Sequence, residues 1–304
     1  MKKPTMTIRT LFRPATRPAL PLLAALCASI IVTSGADAQP SEPQRIVAIG
    51  GAVTETLYAL GVEDRIVAVD TTAVYPPQAK EKPNVGYMRA LSAEGVLAQS
   101  PDLVLMEEGA GPPPAVALLQ ASGIAIETVP AGHGDTQVAA KIEMIAKAVG
   151  KADEGTALAS EIEADLARLK GELAVIAPKK RVLFILSIID GRPMAAGTDT
   201  AADAMVRLAG GENVLSGFHG YKTLSSEAAT QLAPDVVVMM TGAGPDHGAV
   251  DPFAIPALKA TPAGRAGALI RMDAAYLLGF GPRTARAARD LAAKFYPDQI
   301  APSS

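Results

Sequence analysis

The chain has 304 residues, 49% hydrophobic and 19% charged, with no long polar or low-complexity tract, which excludes a disordered chain and suits two modest lobes. Tryptophan is absent and aromatics make up only 4%, while Ala, Val, Leu and Gly are plentiful, a composition suited to parallel sheets covered by helices. The formal net charge is -3 and there is no basic tract, which argues against nucleic-acid binding.

Residues 1–38 read as a secretory leader. Lys2, Lys3, Arg9, Arg13 and Arg17 precede an apolar run over 19–32, and Ala36-Asp37-Ala38 supplies a small-residue cleavage site, expected to be cut after Ala38. The apolar run is shorter than the roughly 20 residues of a spanning helix and no second run follows, so no integral membrane protein is expected. Cys27 follows the bulky Leu26, where a lipid-anchor signal has a small residue, so a lipoprotein is not expected. The leader carries five basic residues and one acid, which would leave the mature chain at a formal charge of -7. It also carries the only cysteine, so disulfides and thiolate metal sites are excluded from the mature protein.

From Arg45 onward, short β-branched runs alternate with helical stretches: strands are predicted at 45–49, 66–69 and 103–106, and helices at 54–60 and 92–99. This is the rhythm of parallel pairing with helical crossovers. Pro76, Pro77 and Pro83 mark a loop leading to Gly86-Tyr87, and further strands are predicted at 126–129, 182–186, 236–240 and 268–271. Between the two strand-rich halves, 152–174 carries Leu158, Ile162, Leu166 and Leu169 at spacings of three and four. By pattern this is either a helix joining two lobes or one more helix within a single domain.

An internal repeat favours two lobes. Residues 91–112 align without gaps to 224–245, with 11 of 22 positions identical. In both copies Ser-x-Glu opens a short helix, Pro-Asp ends it, a buried strand follows and a Gly-rich turn leaves the sheet. Gly86-Tyr87 precedes one copy and Gly220-Tyr221 the other. The predicted fold class is therefore α/β, with two Rossmann-like lobes containing mostly parallel sheets: an N-terminal lobe over 39–150, a linking helix over 151–176 and a C-terminal lobe over 177–304. The cleft between the lobes is the natural ligand site.

No nucleophile elbow, phosphate loop, zinc-protease motif or dinucleotide-binding glycine motif occurs, so no enzyme is expected. His133, His219 and His247 lie in Gly-rich loops without metal-ligand spacing and read as solvated. Tyr87 stands two residues before Arg89, and in an extended loop the two side chains would point the same way. A cation beside a phenol and a bound Fe(III) both favour the phenolate, a hard ligand for ferric iron. On residues alone, the plainer reading is a surface tyrosine beside an arginine. Glu94 and Glu227, at matched positions of the repeat, fit the helix dipole of a first turn; as a pseudo-symmetric pair they also suit docking onto a two-fold symmetric partner.

The run Asn84-Val85-Gly86-Tyr87-Met88-Arg89-Ala90-Leu91-Ser92-Ala93-Glu94 closely resembles the haem-ligand segment of the periplasmic haem-binding proteins of haem-uptake ABC transporters. So do RIVAIGG at 45–51, ETLYALG at 55–61, GTDTAADAM at 197–205, LAGG at 208–211 and LGFGPR at 278–283. The resemblance implies two lobes joined by one rigid helix, a shallow cleft, and ferric haem b held as transported ligand through Tyr87 as axial ligand, with Arg89 supporting it. It implies that Glu94 and Glu227 engage the two subunits of an inner-membrane ABC permease served by an ATPase. Tyr221, Lys222 and Arg271 are further candidates for haem contacts. Some relatives use a second-lobe histidine for a second, stacked haem; residues 186–190 hold none here, which favours one haem, with nearby His219 as the one substitute. The expected protein is a periplasmic monomer. An iron-siderophore or corrinoid receptor of the same fold, and a haem carrier without a transporter, stay open as alternatives.

Overall fold

The computed structural model describes residues 42–242 and 250–303; the leader, Cys27, His247 and the end of the second repeat copy after Gly242 lie outside them. The first lobe runs β1 (Ile46–Ile49), α1 (Gly51–Ala59), β2 (Ile66–Val69), α2 (Ala93–Leu97), β3 (Leu103–Glu107), α3 (Pro113–Ala121), β4 (Ala125–Val129) and α4 (Asp135–Ala148). Its strands pair in the order β2-β1-β3-β4, all parallel. Parallel pairs need crossover connections, whose helices cover the faces of the sheet. Hence β1 is buried at every residue and β3 at all but its last, with no polar alternation. Parallel strands also end on one edge, so Gly50, Asp70 and Glu107, at the ends of β1, β2 and β3, arrive together there.

The predicted linking stretch forms α5 (Ala152–Leu173), whose Ala159, Ile162, Leu166, Leu169 and Leu173 make one buried stripe. At 22 residues it is about 33 Å long. The stripe packs with Val138 and Ile142 of α4 and with the core of the second lobe. That lobe runs β5 (Arg181–Ile189), β6 (Arg192–Ala196), α6 (Ala201–Leu208), β7 (Glu212–Asn213), β8 (Tyr221–Thr223), α7 (Ser226–Gln231), β9 (Val236–Thr241), α8 (Pro256–Lys259), α9 (Pro262–Ala266), β10 (Leu269–Asp273), α10 (Ala274–Leu278) and α11 (Thr284–Phe295). Its sheet has the order β10-β9-β5-β6-β8, with β7 beside β5. The pairs β10-β9, β9-β5 and β5-β7 are parallel, whereas β6 and β8 run antiparallel to their neighbours.

The antiparallel β6 and β8 were not among the predicted strands. Asp190-Gly191, both at positive φ, turns β5 back into β6, and Asp-Gly is a hairpin signal that the sequence does carry. The two copies of the repeat consequently diverge just ahead of their aligned part: Gly220-Tyr221 leads into an edge strand, while Gly86-Tyr87 leads into a loop turn.

Helices α4 and α5 pack tightly at Gly155, where a Cβ would run into the Ala146 methyl group. Gly155→Val is expected to destabilise the fold by about 1 to 3 kcal/mol through overpacking, read as a lowered denaturant midpoint at an unchanged slope.

Candidate functional site

Tyr87 sits at the C-terminal edge of the first sheet and is 47% exposed. Residues 83–86 lie alongside the end of β2: Val69 N donates to Pro83 O (2.9 Å), Val85 N to Val69 O (2.9 Å) and Thr71 N to Gly86 O (2.9 Å). Gly86 takes φ +98°, a conformation that side-chain-bearing residues resist, and this lets the chain leave the strand edge at that point. The stretch after Tyr87 is not extended. Met88–Ala90 closes a 3-10 turn, with Ala90 N donating to Tyr87 O at 2.7 Å, so the alternating side-chain direction expected of Tyr87 and Arg89 does not apply. The Gly-rich turn after β3 holds this loop from the other side, through Gly111 N to Met88 O and Leu91 N to Gly111 O, both at 2.8 Å.

Beneath the loop lies a charged cluster that sequence reasoning missed. Asp70 is fully buried, and Lys141 of α4 is 1% exposed. Lys141 Nζ lies 3.8 Å from Glu107 Oε1 and donates to Phe280 O of the second lobe at 3.3 Å. Burial pushes the Glu107 carboxyl up; Lys141 pulls it back, the Asp70 charge adds to the rise and Arg89 counters it. Burial pushes the Lys141 ammonium down, against the attraction of Glu107. His133, expected to be solvated, instead packs edge-on against Phe280 at 4.8 Å, and its imidazole is pushed down by burial and by the charge of Lys141.

In the second lobe, Tyr221 opens the edge strand β8 and is 38% exposed. Burial pushes the Tyr221 hydroxyl up, while hydrogen bonds with Thr200 and with the Ala202 backbone at the start of α6, together with Arg89, work the other way. Arg89 therefore acts electrostatically on both lobes. Lys222 Nζ stands 4.9 Å over the Phe218 ring. Arg271 Nη2 donates to Val250 O at 2.9 Å. His219 Nδ1 lies 2.5 Å from Asp199 Oδ2 and 3.0 Å from Thr198 Oγ1. A groove of about 990 Å³, bordered by His133, Leu166, Lys170, Asp199, Thr200 and Arg207, contains none of the predicted ligand-contacting residues but takes in the hydrogen-bond partners of Tyr221 and His219.

The matched glutamates are alike in geometry. Glu94 and Glu227 are both exposed in the first turns of α2 and α7. Each helix is capped by the preceding serine, with Ser92 Oγ accepting from Gly95 N and Ser225 Oγ from Ala228 N, both at 3.2 Å.

The lobes meet through Glu55 of α1, which accepts from Arg283 N (3.0 Å) and from Arg283 Nη2 (2.7 Å). The guanidinium carbon lies 3.5 Å from the Tyr75 ring centroid and 5.1 Å from that of Tyr276.

Two α/β lobes bridged by one helix give the chain the architecture of a bilobal binding protein. The chain belongs to the periplasmic binding protein family, whose model matches residues 46–276. Among solved structures it is similar to the periplasmic heme-binding protein BhuT in complex with two hemes (42% identity, TM-score 0.77, covering 83% of this chain and 97% of that one). It is also similar to the apo form of the periplasmic heme-binding protein RhuT from Roseiflexus sp. RS-1 (39% identity, TM-score 0.79, covering 84% and 98%). A Bacillus subtilis ABC transporter substrate-binding lipoprotein, YvrC, is 30% identical over 204 residues, which are 66% of this chain and 65% of that protein.

Next to Arg283, the Tyr276 hydroxyl donates to Asp290 Oδ2 at 2.7 Å, and burial together with this carboxylate pushes the phenol up to about 12. The folded state thus holds the proton more tightly than an unfolded tyrosine near 10. The stabilisation is complete below pH 10 and is lost as the pH rises from there towards about 12. Tyr276→Phe is expected to flatten the fall in stability across that window, measured by denaturant unfolding at each pH.

Proposed function

We propose that this chain captures ferric haem in the periplasm and delivers it to an inner-membrane ABC permease dimer with its ATPase. In this reading the leader is cleaved after Ala38, the mature protein works as a monomer, and lobes at 39–150 and 177–304 flank the helical link at 151–176. One observation carries it above the others: Tyr87, 47% exposed, stands on a turn held by backbone hydrogen bonds from two sides, at the strand edge where ligands bind in open parallel sheets. A phenol presented in this way is a ligand for ferric iron and needs no rearrangement of the loop to reach it. The similarity to heme-binding proteins at 42% and 39% identity supports the same reading.

Haem is apolar over most of its face and anionic at its propionates. Tyr87 would bind the iron, Arg89 would lend positive charge, and Tyr221, Lys222 and Arg271 would serve the propionates and the ring edge. Tyrosinate oxygen stabilises ferric over ferrous iron, so reduction would weaken the bond. The chain's own part is to bind and orient; the family is one of binding proteins, and no bond-breaking step is assigned to it.

Titration of residues 39–304 with hemin is expected to saturate with a phenolate-to-iron charge-transfer band, and Tyr87→Ala is expected to abolish that band. Specific binding of a corrinoid or ferric siderophore, with none of hemin, would replace this reading by one of those.

A second reading of stoichiometry has its own support. The 42% identical relative holds two hemes, and an imidazole that engages Asp199 through Nδ1 would turn its other nitrogen, Nε2, to a metal. Under that reading the titration ends at two haems per chain, and His219→Ala returns it to one.

For transport, Glu94 and Glu227 would each meet a cation on one permease subunit. The double variant Glu94→Ala/Glu227→Ala is expected to bind hemin as the wild type does, and to lose most ATP-driven uptake in vesicles bearing the permease.

A further inference from the structure

Asp70 carries more than the cohesion of its own turn. Its Oδ1 accepts from Gly50 N (2.9 Å) and Thr72 Oγ1 (2.8 Å), and its Oδ2 accepts from Thr72 N (3.1 Å) and Met88 N (3.2 Å). One fully buried carboxylate thus joins the end of β1, the turn after β2 and the residue that follows Tyr87. On the other side of Tyr87, the Gly86 amide donates to Asn84 Oδ1 at 2.8 Å. The residues before and after the tyrosine are therefore both held by side-chain acceptors that reach in from outside the turn.

We propose that Asp70 and Asn84 are positioning residues for the iron ligand: they fix the direction in which the Tyr87 phenol leaves the backbone, and so set the geometry and lifetime of its bond to ferric haem. This rests on the reading of Tyr87 as axial ligand given above. Every donor at Asp70 is an N–H or O–H, and three of the four are backbone amides that cannot reverse their polarity. A carboxylate satisfies all four. The isosteric amide cannot, because in either flip its NH2 faces at least one backbone N–H, and the flip that spares Gly50 N opposes both Thr72 N and Met88 N. Groups that orient a metal ligand from outside typically change affinity by about 10- to 100-fold when altered.

The test measures hemin-loaded full-length mature protein for its phenolate-to-iron band and for haem loss to an excess of apo-globin. Asp70→Asn is expected to shift the band and speed haem loss about 10- to 100-fold. Asn84 is exposed, so Asn84→Ala leaves folding intact; it is expected to speed haem loss about 2- to 10-fold, the worth of one hydrogen bond. Asn84→Asp keeps an acceptor for Gly86 N and is expected to behave as wild type. A merely structural role would lower the melting temperature of the variants without moving the band. A wild type with the band, beside variants that keep both its band and its rate of haem loss, overturns the proposal while leaving the haem reading intact. Should Asp70→Asn fail to fold, the Asn84 pair decides alone. A wild type with no such band removes the haem reading, and the proposal falls with it.

Discussion

The buried carboxylate of Asp70 is the point on which the C-terminal edge of the first sheet is assembled. Parallel strands bring their last residues to one edge but leave the amides beyond those residues without ladder partners. At this edge the amides of Gly50, Thr72 and Met88 all converge on two oxygen atoms. Remove that acceptor and three segments carry unpaired donors, one buried at Gly50 and two partly buried at Thr72 and Met88; a fully buried one costs about 1 to 3 kcal/mol. The same carboxylate that satisfies the sheet edge through Oδ1 also holds the turn bearing Tyr87 through Oδ2, so edge and turn share one side chain.

The second lobe is joined to this edge by contacts of a different kind. Arg283 lies between two aromatic rings and meets the Glu55 carboxylate through both its backbone amide and its guanidinium. Lys141 reaches from α4 to the Phe280 carbonyl, and Gly281 approaches the Ala52 backbone so closely that a Cβ there would stand 3.3 Å from its Cα. These contacts, together with the stripe of α5 buried against α4 and the second core, join the two lobes. They leave Tyr87 on the first lobe and Tyr221 on the second about half and two-fifths exposed.

Much of this was legible in the linear chain, for identifiable reasons. The repeat at 91–112 and 224–245 carries its own caps, and a serine followed by an acidic first turn folds in the same way in both places, because capping is local. The buried strands announced themselves as unbroken β-branched runs, and α5 as a stripe at helical spacing. The extended geometry expected between Tyr87 and Arg89 was misread, because the i, i+2 rule was applied to a segment that closes a 3-10 turn. That turn depends on Gly111, 24 residues beyond Tyr87, which no local pattern reveals. Asp70 was passed over because a single aspartate after a strand is indistinguishable from a turn residue until its donors are seen.

By itself, then, the sequence determined what depends on near neighbours: two α/β halves, the helix between them, the serine caps that present Glu94 and Glu227, and a tyrosine in a haem-ligand-like string. Tertiary structure alone decided which residues meet across long separations. It buried Lys141 and Asp70 beneath the Tyr87 loop, turned His133 onto Phe280, paired Glu55 with Arg283 across 228 residues and brought the charge of Arg89 to bear on Tyr221. The physical reason is that periodicity and capping are set by neighbours within a few residues, whereas partners for buried charge and for amides beyond a strand edge are supplied by whichever segments the packed core brings alongside.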